Sequence, residues 1–139
     1  MVKWFKPGER FEMEALRLRD RSLVGELILI APEWVLLEVT RGLAKAGYKE
    51  KASLEAWSSL TDMARVGVLS LLRVSELLQE ARDAVIKIRL YASDAVALAS
   101  AIRSQTPLVT DDRHLLNESV KKYALARSTE ILRLSEALK

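Results

Sequence analysis

Short apolar runs that alternate with longer amphipathic segments constrain the fold of this chain more than any other feature. The first run, Leu27-Ile28-Leu29-Ile30-Ala31-Pro32, contains β-branched residues and ends at a proline. This pattern predicts a strand buried on both faces, as in parallel sheets. Similar runs predict three further strands, at residues 68–72, 107–110 and 130–134.

Amphipathic segments with apolar residues at helical spacing lie before, between and after these runs. They predict helices over residues 9–24, 33–46, 49–65, 76–90, 94–103 and 117–123. Ser75 and Ser93 are expected to cap the N-termini of two of these helices, because a serine hydroxyl can accept a hydrogen bond from a backbone N–H of the first turn. Strands that alternate with helices predict an α/β fold with a mainly parallel sheet and helices on both faces.

The composition narrows the classes of protein and of site. The 139 residues contain no linker-like stretch, so we predict a single domain over residues 1–139. No apolar run approaches the ~20 residues of a membrane span, and the N-terminus does not resemble a secretory signal. Cysteine is absent, which fits a reducing cytoplasm and excludes thiolate metal sites, and His114 is the one histidine. Any metal would therefore be a hard cation held by carboxylates.

The charge balance permits an anionic partner without demanding one. The formal net charge is +3 and the pI is about 9.3. The basic residues occur in small groups, which are typical of solvated helix faces but also suit contact with nucleic acid.

Four carboxylates stand out from their apolar surroundings. Glu38 lies in a helix that is apolar nearly all round, so we expect it to be largely buried, either paired with Arg41 or facing a polar pocket. Asp94 lies in a first helical turn, where the helix dipole favours an acid. Asp111 and Asp112 directly follow a buried strand, where aspartate is a common turn residue. Each position alone has an ordinary structural explanation.

Together these acids predict more than any one of them does. In open parallel sheets the functional site lies beyond the carboxyl ends of the strands. The start of the helix after Ile30 and the turn Thr110-Asp111-Asp112 both occupy that position. Converging carboxylates there can hold Mg²⁺ or Mn²⁺, which can polarise a phosphodiester and activate a water.

Four segments in this order resemble PIN-domain proteins, and most of all the small VapC-type toxins of toxin–antitoxin pairs. They are Val2-Lys3-Trp4-Phe5, Ala31-Pro32-Glu33-Trp34-Val35-Leu36-Leu37-Glu38-Val39, Ser93-Asp94-Ala95 with Ala99, and residues 107–115, PLVTDDRHL. The resemblance implies a Rossmann-like α/β/α sandwich and a cytoplasmic, metal-dependent ribonuclease acting on RNA. It also implies a cognate antitoxin protein as partner. A homodimer is expected because a missing central strand would leave backbone groups that a neighbouring chain can satisfy.

The resemblance also implies roles for particular residues. Glu38, Asp94 and Asp112 match the family's acids as catalytic residues and ligands of Mg²⁺ or Mn²⁺. The auxiliary residues are Thr110, the small polar residue of the motif, and Asp111, which falls on its variable position. Lys3 and Arg113 are candidate contacts to the RNA backbone.

The sequence departs from the family pattern at its start. Family members usually open with a short apolar strand that ends in an aspartate, and this sequence begins just after that point. We therefore expect that the chain is N-terminally short, either through a start site placed too far downstream or because the protein is a shortened, catalytically impaired member.

Two other functions are consistent with the sequence. The chain could be a dimeric module that binds an antitoxin without turnover, with apolar residues of 33–65 as the contact surface. Trp34 and Trp57 are candidates for that surface, although an ordinary core position explains both. A nucleotide-binding domain is disfavoured, because no glycine-rich phosphate loop follows a predicted strand.

Overall fold

The computed structural model describes residues 1–139 and has helices and short strands in alternation. After a 3₁₀ helix at Val2–Trp4 come six α-helices: α1 Glu12–Leu23, α2 Val35–Lys45, α3 Glu50–Arg65, α4 Val74–Ile88, α5 Ala92–Ser104 and α6 Glu118–Leu125. The strands are β1 Leu29–Pro32, β2 Leu69–Leu72, β3 Leu108–Val109 and β4 Ile131–Leu132. The predicted α/β class is confirmed, with short strands and a parallel pair.

The strands form two sheets of two strands each, one with β1 beside β2 and one with β3 beside β4. In the second sheet the strands are parallel, with Leu108 opposite Ile131 and Val109 opposite Leu132. Backbone N–H groups of Leu108 and Thr110 donate to the carbonyls of Glu130 and Leu132 at 2.8 and 3.0 Å. The ladder thus reaches Thr110, at the start of the turn that carries the acids.

The chain divides into two compact units. Residues 1–29 and 33–71 form the first unit, and residues 30–32 and 72–139 form the second. In the first unit α2 packs on α3, and the 3₁₀ helix contacts α1 and α2. Leu43 and Leu60 are almost fully buried in its core.

In the second unit α4 packs along α5, and β3 contacts α5. The helix α5 buries six of its residues: Ala95, Val96, Leu98, Ala99, Ser100 and Ala101. The small side chains let this helix lie close to its neighbours. The helix is thereby held on several sides, and the residues of its first turn have a fixed position.

Several expectations about burial are wrong. Only Ala31 and Pro32 of β1 are buried, and Ile28 before the strand is exposed, so this run is not buried on both faces. In α2 only Val39 and Leu43 are buried. Leu37 is 62% exposed, and Glu38 is exposed rather than largely buried. Because α2 is apolar nearly all round, we expected it to be buried on every side. The structure buries only one face of the helix.

The helix starts also differ from the expectations. α1 begins at Glu12 rather than at residue 9, because Gly8 donates its N–H to Glu12 Oε2 at 2.8 Å and Phe11 adopts a left-handed conformation. Neither Ser75 nor Ser93 is a cap, since both lie one residue inside their helices. The one side-chain cap is Asn117, whose Oδ1 accepts the N–H of Val120 at 3.0 Å.

Two further points concern apolar surface. No helix is both long and apolar enough to cross a bilayer. Trp57 is 37% exposed, so it is not an ordinary core residue, and Trp34 is half-buried with an Nε1 that has no hydrogen-bond partner.

Candidate functional site

The candidate site lies in the second unit, where the first turn of α5 and the turn after β3 each carry an acid. Tyr91 is the N-cap of α5, and its carbonyl accepts the N–H of Ala95 at 2.9 Å. This fixes the backbone on either side of Asp94, the acid of the first turn. Because the following residues are buried, Asp94 cannot move without moving the helix.

The turn after β3 is held by its own side chains. The N–H of Asp112 donates to Thr110 Oγ1 at 3.0 Å, and the N–H of His114 donates to Asp112 Oδ1 at 2.7 Å. Asn117 Nδ2 donates to the carbonyl of His114 at 2.7 Å. Thr110 therefore supports the Asp112 backbone, and its auxiliary role stays a prediction. One oxygen of Asp112 is engaged in the turn and the other is left for a ligand.

Asp112 and His114 both act on the ionisation of Asp94. The pKa of Asp94 is raised above its usual value, first because the carboxyl is partly buried and second because Asp112 is a like charge. His114 acts in the opposite direction and lowers the pKa of Asp94. The two acids and the imidazole therefore form one electrostatic group.

Two rings border this acid pair. Tyr91 and His114 meet edge to face, with ring centroids 5.5 Å apart and planes at 83°. Both residues are exposed. Reasoning from the sequence assigned no role to Tyr91 and noted His114 only as the one histidine. The available signal was position, since Tyr91 lies three residues before Asp94 and His114 two residues after Asp112.

The other predicted residues are distributed differently. Asp111 and Arg113 are exposed on the turn after β3. Glu38 lies in the first turn of α2, in the first unit. Lys3, also in the first unit, donates from Nζ to the carbonyl of Arg10 at 2.7 Å and lies 3.9 Å from Glu9 Oε2. No three residues among Asp, Glu, His and Cys form a group that could hold a metal ion.

The sequence matches the family model of the PIN domain over residues 1–135. The chain belongs to the PIN domain family. PIN domains are in general nucleases, and they generally use divalent metal ions. At the level of the family, this chain is therefore a nuclease-type protein with acids in the second unit. A search of curated proteins and a search of solved structures each gave no significant match.

Proposed function

We propose that the chain is a metal-dependent endoribonuclease of the VapC type, which hydrolyses RNA phosphodiesters with Mg²⁺ or Mn²⁺. The observation that carries this proposal is that, in a PIN-domain chain, Asp112 lies near Asp94 and, after burial, is the second cause of the raised pKa of Asp94. Two carboxylates held beside each other are unfavourable in the absence of a cation. Asp94 and Asp112 would hold a divalent ion, whose charge would offset that penalty.

The donor set fits such an ion. Carboxylate oxygens are the ligands that Mg²⁺ and Mn²⁺ prefer, and Mg²⁺ is commonly held by one or two carboxylates with waters and substrate phosphate. Asp94 and Asp112 would hold the ion, so a three-acid cluster is not required. Glu38 remains the third predicted ligand, and a variant below tests its contribution.

Different residues would then bind the metal ion and the RNA. Asp94 is placed by the buried start of α5, and Asp112 by its bonds to the turn. The exposed guanidinium of Arg113 would contact an RNA phosphate, as would Lys3. When bound, the ion supplies Lewis-acid polarisation of the phosphodiester and a water of lowered pKa.

The first test measures RNA cleavage with Mn²⁺ by the native chain and by Asp94→Asn and Asp112→Asn. Loss of an outer-shell partner of a metal site typically costs 10–100-fold, so loss of either acid should cost at least about 100-fold in rate. Asp62→Asn is the matched control, because Asp62 is an exposed acid of α3 that pairs with Arg65 at 2.9 Å. Equal cleavage by all four proteins would contradict the proposal.

The second test measures metal binding directly by thermal unfolding. A ligand that binds only the folded state stabilises it by about 2.7 kcal/mol at 100 times its Kd. Mn²⁺ should raise the Tm of the native chain and of Asp62→Asn, and it should raise that of Asp94→Asn much less. An equal rise in all of them would place the ion elsewhere.

A second candidate function is a dimeric, catalytically impaired module that binds an antitoxin. It is favoured by exposed apolar side chains on the helices of the first unit, where Leu37, Leu54 and Trp57 reach solvent. Gel filtration with light scattering tests the homodimer, and co-purification of a small, partly disordered protein tests the antitoxin. Binding of Mn²⁺ without any RNA cleavage would favour this candidate over the first, and a monomer that retains no partner would contradict it.

A further inference from the structure

Tyr91 and His114 are exposed rings on firmly held backbone, which is unusual for a surface aromatic pair. Tyr91 is 68% exposed, although it is a large side chain. Its backbone carbonyl is engaged by Ala95, and the backbone of His114 is bonded on both sides, to Asp112 and to Asn117. The rings are therefore presented to solvent in a defined place.

The geometry of the pair leaves room for a third ring. In an edge-to-face pair, one ring keeps both of its faces clear of the partner and the other ring keeps one. The centroid distance of 5.5 Å and the angle of 83° describe such an arrangement. A planar group can therefore stack on Tyr91 or His114 without breaking their contact.

The position of the pair is tied to the acids. The backbone N–H of His114 donates to Asp112 Oδ1 at 2.7 Å, and Tyr91 lies three residues before Asp94. Arg113, which lies between Asp112 and His114, is exposed and carries the opposite charge to a phosphate. The two rings and the cation of Arg113 thus lie on one short stretch of surface beside the acids. The base of a nucleotide can stack on a ring, and its phosphate can pair with the cation.

We propose that Tyr91 and His114 form a stacking platform that holds one unpaired base of the RNA beside Asp94 and Asp112. This inference rests on the proposed function for the identity of the ligand. A base inside a duplex has both faces covered, so the platform selects an unstacked nucleotide. Stacking of a base on an aromatic side chain tolerates any base, because each has a π-face.

The test compares two probes of equal charge by fluorescence anisotropy, in EDTA so that no RNA is cleaved. One is a fluorescein-labelled oligouridylate, and the other has the same backbone with abasic sites. Alanine substitution at a stacked position costs about 5- to 150-fold in affinity. We expect the native chain to bind the oligouridylate about tenfold more tightly than the abasic probe, and Tyr91→Ala to lose that preference.

Control variants separate stacking from structure. Tyr91→Phe keeps the ring and should keep the preference, whereas His114→Ala should reduce it. Trp57→Ala removes a partly exposed ring from α3 and should change nothing. If the native chain does not prefer the oligouridylate to the abasic probe, or if Tyr91→Ala binds both probes as the native chain does, the platform is wrong.

The two proposals fail in different ways. Because the binding assay needs no metal and no turnover, it can succeed even if Asp94→Asn leaves cleavage unchanged. If the chain cleaves RNA, Tyr91→Ala should raise KM about tenfold and leave kcat nearly the same, since stacking is made in the ground state as well. A fall in kcat with KM unchanged would contradict the platform while leaving the ribonuclease proposal intact.

Discussion

The helices α2 and α5 lie in different units, and each carries an acid in its first turn, yet they hold these acids very differently. α2 buries two residues, Val39 and Leu43, and Glu38 lies on its exposed side. α5 buries six residues, and Asp94 at its start is partly covered. The helix that is packed on more sides is the one that positions its acid. A rigid support is what a metal site requires of its ligands.

Core truncation tests this comparison with the largest expected effect. Leu98→Ala in α5 and Leu43→Ala in α2 each remove an almost fully buried side chain. Each should lower the free energy of unfolding by about 2–5 kcal/mol, measured by urea denaturation. Leu54→Ala is the control, because that side chain is mostly exposed and should cost less than about 0.5 kcal/mol. A cost below about 1 kcal/mol for Leu98→Ala would show that α5 is not tightly held.

Metal binding by variants of the two acids sharpens the comparison next. Asp94→Asn should weaken Mn²⁺ binding by about 100-fold. Glu38→Gln should weaken it by about tenfold or less, which is the smallest loss typical of a residue that supports a metal ligand without binding the metal. The reason is that Glu38 is exposed and that no three-acid metal group is present. Isothermal titration of each protein with Mn²⁺ measures both values. Equal losses would show that Glu38 is a ligand of the same rank as Asp94.

The order of the elements was predictable from the sequence because it depends on local pattern. Apolar runs and helical spacing gave all four strands and all six helices, with bounds that shift by a few residues. Burial was less predictable, because it depends on what packs against each face. Ile28 and Glu38 lie in apolar stretches of sequence, as buried residues do, yet the tertiary packing leaves both of them exposed.

The candidate site was predictable to the same degree. Asp94 and Asp112 were singled out by position, and the structure makes them electrostatic neighbours. Tyr91 and His114 were missed, because each lies close to an acid in sequence but only the fold brings the two rings into contact. The expectations of an N-terminally short chain, of a single domain and of a cytoplasmic location stay predictions.

The helix caps provide a smaller test of how the second unit is held. Asn117→Ala removes the cap of α6 and the bond to the carbonyl of His114, so it should cost about 1 kcal/mol. Ser93→Ala should cost nothing or stabilise slightly, because Ser93 lies inside α5 and alanine is the better helix former. Thermal unfolding of both variants measures the difference. A loss on Ser93→Ala equal to that of Asn117→Ala would show that Ser93 is a cap after all.

The pH dependence of stability gives the smallest effect and the most direct reading of Asp94. Burial and then Asp112 raise the pKa of Asp94 in the folded chain, so folding favours its protonated form. Its favourable contribution is therefore complete below the unfolded pKa and is lost as the pH rises through the folded pKa. At neutral pH without divalent cations, Asp94→Asn should have a slightly higher Tm than the native chain. This advantage should shrink as the pH falls toward 3.8, the ordinary pKa of the side chain.

Asp62→Asn should show no such advantage at neutral pH, because Asp62 pairs with Arg65. If Asp94→Asn is less stable than the native chain at neutral pH in EDTA, Asp94 is held by a favourable partner rather than opposed by Asp112.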